Sequence, residues 1–198
     1  MEATTKNNKE NNSQEENPWI TKTTEQVYES AWIKVTKSDV INPAGNDAIY
    51  SVVHFKNLAI GVLPLDKEYN TWLVGQYRYP TDSYSWEIPE GGGKMDVDPI
   101  ESASRELKEE TGVVAKKYTE FMRLHTSNSV TNELAIVYIA TELSFEDAEP
   151  EESELLQVKK LHLNEAFDWV MQGKITDGIS VAAILKAKWL LDNAKLFV

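Results

Sequence analysis

The sequence predicts an α/β fold in which a mixed β-sheet carries helices on its faces. Three observations predict it. Apolar runs of strand length are interspersed with a few segments of helical spacing, without strict βαβ alternation. At 198 residues the chain can bury one good core, and a second independent one is not expected. Composition is that of a globular domain, 41% hydrophobic and 26% charged, with six Trp and eight Tyr.

The elements follow in order. Residues 1–17 hold five Asn, four Glu and two Lys and almost no large apolar group, so they cannot offset their own ordering entropy and are expected to form a disordered tail. Structure is expected to begin near Pro18 and Trp19. From Val27 to His54 the pattern suits strands, with a turn at Asn42–Asn46 between Val40–Ile41 and Ile49–Phe55, a plausible hairpin. Ala59–Leu65 and Trp72–Tyr77 read as core strands around a polar turn at Asp66–Asn70. Gly91-Gly92-Gly93 reads as a glycine-rich loop. A helix then opens with Asp98 as N-cap and Pro99 at its first position, runs through Ile100, Ala103 and Leu107 on its apolar side, and stops at Gly112. A strand at Leu134–Ala140, an acidic loop at Glu146–Glu154 and a short strand around Val158–Leu163 come next. Asn164 is placed to cap a helix over Glu165–Gln172 that Gly173 ends, and Asp177 or Ser180 to cap an apolar helix reaching Leu196.

Charge and composition exclude several functions. Lys and Arg number 20 against 32 Asp and Glu, a net charge of −12. That argues against a sequence-independent nucleic-acid binder and against docking on an anionic membrane. A small phosphorylated ligand stays compatible, because a divalent metal reverses the local sign. There is no cysteine, hence no disulfide, thiolate metal site or thiol nucleophile. No apolar signal core stands at the N-terminus, and Leu58–Leu65 is too short to span a bilayer, so a cytoplasmic location is expected.

The chemistry concentrates in Arg105-Glu106-Leu107-Lys108-Glu109-Glu110-Thr111-Gly112-Val113. Helical spacing puts Glu106, Glu109 and Glu110 on one face, where they repel one another unless a cation joins them. Arg105 can hold Glu109 by a charge-assisted hydrogen bond. Mg²⁺ suits such a face, since it takes oxygen ligands and is commonly shared between carboxylates and substrate phosphates. A merely solvated acidic helix face is the alternative. The upstream glycines, which let backbone approach a phosphate closely, weigh against it.

Together with Gly91, this segment resembles the Nudix box, Gly-x5-Glu-x7-Arg-Glu-U-x-Glu-Glu-x-Gly-U with U aliphatic. The resemblance implies a Nudix-type α/β/α sandwich and metal-assisted attack of water on a diphosphate. It implies Glu106 and Glu110 as metal ligands, Glu109 as a further ligand or base, and the backbone carbonyl near Glu90 as another ligand, with Mg²⁺ as the cofactor and Mn²⁺ as a substitute. One position departs: Val97 stands where the box has its first glutamate, flanked by Asp96 and Asp98, either of which could substitute after a one-residue shift.

Outside the box, Val74–Pro80 (VGQYRYP), Trp86–Gly91 (WEIPEG), Thr126–Glu133 (TSNSVTNE) and Gly173–Asp177 (GKITD) are similar to the branch that cleaves ADP-ribose and nucleoside diphosphate sugars. The likeness runs from about Tyr28 to Leu191. It implies a homodimer built through the N-terminal strands, and a division into residues 1–17 (tail), 18–56 (N-terminal β-region for dimerisation and substrate contact) and 57–198 (hydrolase domain). It implies that Arg78 meets the diphosphate, Glu87 helps with metal or substrate, Trp32 stacks on a base, and Gly91 and Gly92 line the substrate. Glu133 becomes a metal ligand or general base. Core or interface packing is the alternative for Trp32, and a structural ion pair for Arg78. Histidines 54, 125 and 162 show no ligand spacing and read as structural, with His125 beside the candidate loop. Two other functions stay open: hydrolysis of dinucleoside polyphosphates or nucleoside triphosphates, and non-catalytic nucleotide sensing, which Val97 alone favours. An isomerase of this superfamily is disfavoured, being expected to use a cysteine.

Overall fold

A computed structural model describes residues 16–149 and 155–196. Most of the expected tail and residues 150–154 of the acidic stretch therefore lie outside the described residues. Among the described residues no helix is long and apolar enough to cross a membrane.

Among the described residues three α-helices and ten strands form the fold. β4 (Asn57–Pro64) lies parallel to β9 (Ala135–Phe145), and β7 (Glu90–Lys94) and β8 (Val113–Leu124) flank this pair antiparallel in the order β7-β4-β9-β8. β10 (Gln157–His162), β5 (Asn70–Arg78) and β6 (Ser83–Glu87) form an antiparallel sheet in the order β10-β5-β6. The period-2 geometry of strands sorts the core into two layers. Ile60 and Val62 of β4 and Ile136 and Tyr138 of β9 pack with Ala103 and Leu107 of α1 (Pro99–Thr111). Leu63 of β4, with Val137 and Ile139 of β9, packs with Ala166 of α2 (Leu163–Met171) and with Ile179, Ala183 and Ile184 of α3 (Gly178–Asp192). The mixed sheet is thus covered by helices on both faces, an α/β/α sandwich. Double-sided burial explains why β4 reads as an almost unbroken apolar run.

Local chemistry sets the helix ends. The Asp98 carboxylate accepts from the Ile100 N–H at 3.0 Å, Pro99 opens α1, and Gly112 ends it at φ 70°. A side chain there would strain the backbone, and its Cβ would meet the Glu146 carbonyl oxygen at 2.4 Å. Asp177 caps α3 by accepting from the Ser180 N–H at 2.7 Å, while the buried Ser180 hydroxyl accepts from the Ile88 N–H at 2.9 Å and ties α3 to the turn after β6.

A third sheet, β1 (Ile20–Glu29), β2 (Ile33–Ile41) and β3 (Asp47–Phe55), stands beside the sandwich. The expected turn at Asn42–Asn46 joins β2 to β3, with Asn42 Oδ1 accepting from Ala44 N and Asn46 N.

Several elements depart from the sequence reading. β1 begins at Ile20, not near Val27, and every one of its residues is exposed, so no burial pattern marks it. The glycine triplet is strand, not loop: a Cβ on Gly93 would meet Ile60 Cγ1 at 2.7 Å, so glycine is what lets β7 lie close over the core. β8 and β6 lie where no strand was read. The bulge between Glu120 and Met122 in β8 breaks its alternation. Ile100 is exposed rather than joining Ala103 and Leu107. His162 Nδ1, not Asn164, caps α2 by accepting from Asn164 N, and α3 ends at Asp192 instead of reaching Leu196.

Candidate active site

α1 turns its two inner carboxylates towards β7. Glu110 is 2% exposed, and its Oε2 accepts from the Glu90 N–H at 3.1 Å. Glu106, also buried, lies against Gly91, where a Cβ would stand 2.3 Å from the carboxylate carbon. The backbone of Gly91 and the side chain of Glu106 therefore occupy adjoining space that only glycine leaves open. Glu109 is half-buried and takes a 2.7 Å hydrogen bond from Arg105 Nη1. Arg105 Nη2 reaches Glu106 Oε1 and the Gly92 carbonyl. The expected single carboxylate face is in fact two buried acids and one half-exposed acid, with Arg105 joining the buried Glu106 to the half-exposed Glu109.

A second ion-pair network flanks β7. Arg78, at the end of β5, gives Nε to both oxygens of Glu87 at 3.0 and 3.1 Å, and its Nη2 bonds Glu87 and reaches Glu90 Oε1 at 3.4 Å. Burial alone would raise the Glu87 carboxyl, but the hydrogen bonds and charge of Arg78 outweigh it and hold Glu87 below the usual range. Glu90 goes the other way. Burial, then the negative charges of Asp177 and Glu87, push it well above an ordinary carboxylate, and its Oε2 is buried without a hydrogen-bond partner. The Arg78 guanidinium is held charged chiefly by its hydrogen bonds to Glu87. The Arg78 ion pair weighed as an alternative is thus present. Among the described residues its Nη1 makes no hydrogen bond, and Arg78 still lines the cavity described next.

That cavity, of about 500 Å³, brings together Trp32, Arg78, Glu90, Gly91, Gly92 and Glu133. An adjoining cavity of about 590 Å³ shares Trp32 and Gly92 and is lined by Arg105, Glu106 and Val97. Trp32 is 68% exposed between the two, so it is not a core residue. Glu109 and Glu110 line neither cavity. Glu133 enters from the loop before β9, its carboxylate accepting from Thr126 Oγ1 and its carbonyl bonded to His125 Nδ1 at 2.8 Å. Of the other histidines, His54 bonds Thr36 at 2.9 Å, and His162 is the α2 cap. Asp98 Oδ1 accepts from the Ile100 N–H at the helix cap, Asp96 and Asp98 are both exposed, and neither lines the two cavities, whereas Val97 lines the second.

Two cavity residues went unnoticed as functional in the sequence. Asp177 was read as a cap and as the end of the GKITD segment, not as a site residue, yet it lines the cavity and its charge acts on Glu90. Thr126 was read only as part of a loop, and it holds the Glu133 carboxylate.

Among the described residues no three acidic or histidine side chains form a preformed metal cage, and Arg105 and Arg78 pair with Glu106, Glu109, Glu87 and Glu90. The donor chemistry nevertheless fits a hard divalent cation. Every candidate ligand is oxygen, Glu90 keeps an unpartnered buried oxygen, and Gly91 keeps the approach to Glu106 clear of a side chain. The burial and crowding of acids that push the Glu90 carboxyl upward are what a nearby divalent charge would offset.

Known proteins were compared with the chain. The NUDIX domain model matches residues 55–178. The chain is 32% identical to the ADP-ribose pyrophosphatase of Bacillus subtilis (strain 168) over 162 residues, 81% of this chain and 87% of that protein. It is 30% identical to the methanol dehydrogenase activator of Bacillus methanolicus over 163 residues, 81% of this chain and 88% of that one. A solved structure described as an ADP compounds hydrolase superposes with a TM-score of 0.80 at 22% identity, covering 91% of this chain and 98% of the other, a likeness of fold.

Proposed function

The chain belongs to the NUDIX family, and from that premise we propose that it hydrolyses the diphosphate linkage of ADP-ribose or a related nucleoside diphosphate sugar, releasing a nucleoside monophosphate and a sugar phosphate. One observation carries the reading: the buried carboxylates of Glu106 and Glu110 stand against β7 at Gly91 and at the Glu90 N–H, beside a cavity of about 500 Å³ lined by Arg78 and Glu133. The ADP-ribose pyrophosphatase relative, aligned over most of both chains, supports the sugar branch.

A divalent cation, Mg²⁺ with Mn²⁺ as substitute, neutralises diphosphate oxygens and acidifies a water when bound at such a site. Glu106, Glu110, Glu109 and the backbone carbonyl at Glu90 are the groups to hold it. Arg105 keeps Glu106 and Glu109 in register by bonding both. Glu133, in the cavity and oriented by Thr126, takes the proton of the attacking water or adds a ligand, with Glu109 the other candidate base. Arg78 offers Nη1 to the diphosphate while Glu87 fixes the rest of its guanidinium. Trp32, exposed at the junction of the two cavities, is placed to stack on a base.

The test is incubation with Mg²⁺ and a panel of nucleotide sugars, dinucleotides and nucleoside triphosphates, with products identified by chromatography. ADP-ribose is expected to yield AMP and ribose 5-phosphate. Tight binding of one compound with no turnover of any would replace the enzyme reading with that of a sensor.

The enzyme is read as a homodimer. β1 is exposed along all ten residues and presents Ile20, Val27 and Tyr28, each more than half exposed, as a surface for a second copy. Light scattering on the eluting protein is expected to give twice the chain mass, and a monomer at all concentrations would overturn the dimer.

A further inference from the structure

The segment that presents Glu133 is anchored from outside the sandwich. From Thr126 to Glu133 the chain forms neither helix nor named strand, and within itself it closes one turn, with Val130 N and Thr131 N both donating to Ser127 O. Thr126 Oγ1 and His125 Nδ1 bond Glu133, and the Thr131 hydroxyl donates to Ser127 O and accepts from Glu133 N. Four further attachments run to β3 of the N-terminal sheet. Val53 N donates to Val130 O at 2.9 Å, Asn132 N to Val53 O at 3.3 Å, Phe55 N to Asn132 Oδ1 at 2.9 Å, and Tyr50 OH to Ser129 O at 2.6 Å. Asn132 is central to this seam. Its backbone N–H and its side-chain carbonyl both bond β3, at residues two apart, so the amide supplies a second rung to a ladder that the backbone bridge between Val53 and Thr131 makes only once. The next residue is Glu133.

We propose that Asn132 is a positioning residue, locking the Glu133 loop onto β3 so that the N-terminal sheet sets where the Glu133 carboxylate stands in the cavity. The inference rests on the reading of Glu133 as base or ligand. The same sheet presents Trp32, whose carbonyl accepts from Lys56 N at 3.0 Å just beyond β3. Substrate contact at Trp32 and placement of Glu133 therefore share one support. The two side-chain bonds of the seam, from Tyr50 and to Asn132, are exposed and individually weak, so their effect is on geometry, where a displacement of about 1 Å can cost on the order of 100-fold in rate.

The experiment uses the full chain with ADP-ribose and Mg²⁺, and measures kcat, KM, melting temperature and amide hydrogen exchange in Asn132→Ala, Asn132→Asp and Glu133→Gln. Asn132→Ala is expected to lower kcat by about 10- to 100-fold with KM changed less than about threefold, and to speed exchange of Phe55 and residues 126–134 by about tenfold. Its melting temperature stays within a few degrees of the parent. Asn132→Asp keeps an oxygen acceptor for the Phe55 N–H and is expected to recover most of the rate and the protection. Glu133→Gln is expected to lose kcat with exchange unchanged, and adding Asn132→Ala to it to cost nothing further.

If Glu133→Gln is inactive while Asn132→Ala keeps its rate, the positioning role is wrong and the reading of Glu133 stands. A loss of rate in Asn132→Ala without faster exchange assigns Asn132 to the substrate instead and also overturns the proposal. Full activity in Glu133→Gln removes the role assigned to Glu133 and the proposal with it.

Discussion

Glu110→Gln is expected to lower turnover of ADP-ribose by on the order of 1,000-fold while leaving the fold intact. Glu110 is buried at 2% exposure, and its Oε2 accepts the Glu90 N–H. Glutamine keeps the volume and a carbonyl oxygen for that N–H, so the Glu90 N–H is spared the penalty of about 1–3 kcal/mol for an unsatisfied buried group. What is lost is one negative charge beside Glu90 and Glu106, where a divalent cation is to be held. Changes to groups that merely orient metal ligands already cost about 10- to 100-fold, and removal of a ligand's charge costs more. Steady-state kinetics with a Mg²⁺ titration, beside circular dichroism and thermal melting, separates the outcomes. Near-normal kcat at ordinary Mg²⁺ would remove Glu110 from the metal site. Glu110→Ala is a poorer probe, because it also leaves the Glu90 N–H without its acceptor.

How much of this was legible in the sequence depends on how local its cause is. α1 was legible from end to end because its start and stop are set by Asp98, Pro99 and Gly112 themselves. The four-residue spacing of Glu106 and Glu110 likewise puts both acids towards β7, and the apolar runs of β4 and β9 revealed strands covered on both faces. β1 was not fully legible, since a strand exposed along its whole length carries no burial period. β8 hid behind its bulge. The glycines of β7 signalled close approach, but what approaches them, Ile60 at Gly93 and Glu106 at Gly91, comes from other elements.

The networks were least legible. Arg78 and Glu87 are nine residues apart and do not pair directly, since Glu87 faces Val74 and Arg78 faces Ser83; the register of β5 with β6 puts both on one face, along which the long Arg78 side chain reaches Glu87. Asp177 acts on Glu90 across nearly ninety residues of sequence, brought there by α3, which core packing and the Ser180 bond to Ile88 seat on the sheet. No spacing rule reports either. Asn132 is similar: its sequence context says loop, and its partners Val53 and Phe55 lie nearly eighty residues upstream.

The glycine triplet yields the second large effect. Gly91→Ala is expected to lower kcat by about 100-fold or more with the melting temperature within a few degrees of the parent. A Cβ at Gly91 would stand 2.3 Å from Glu106 Cδ and Oε1 and 2.5 Å from Oε2, closer than real contacts allow. The obstructing atoms are the far end of a flexible side chain, so the clash is relieved by swinging the carboxylate away, at the expense of its bond from Arg105. Backbone conformation adds no strain, since Gly91 is not among the residues at positive φ. Alanine also lowers the entropy of the unfolded chain, by about 0.4–1 kcal/mol in favour of folding. Stability is therefore nearly preserved while a metal-site carboxylate is displaced. Gly93→Ala should behave in the opposite sense. Its Cβ would meet Ile60, fully buried between β4 and α1, at 2.7 Å, and overpacking there costs about 1–3 kcal/mol. The two variants, two residues apart on one strand, thus separate chemistry from stability. Thermal melts and kcat measured side by side decide the matter, and Gly91→Ala with unchanged kcat would mean that the Glu106 carboxylate does not act from the position it holds against β7.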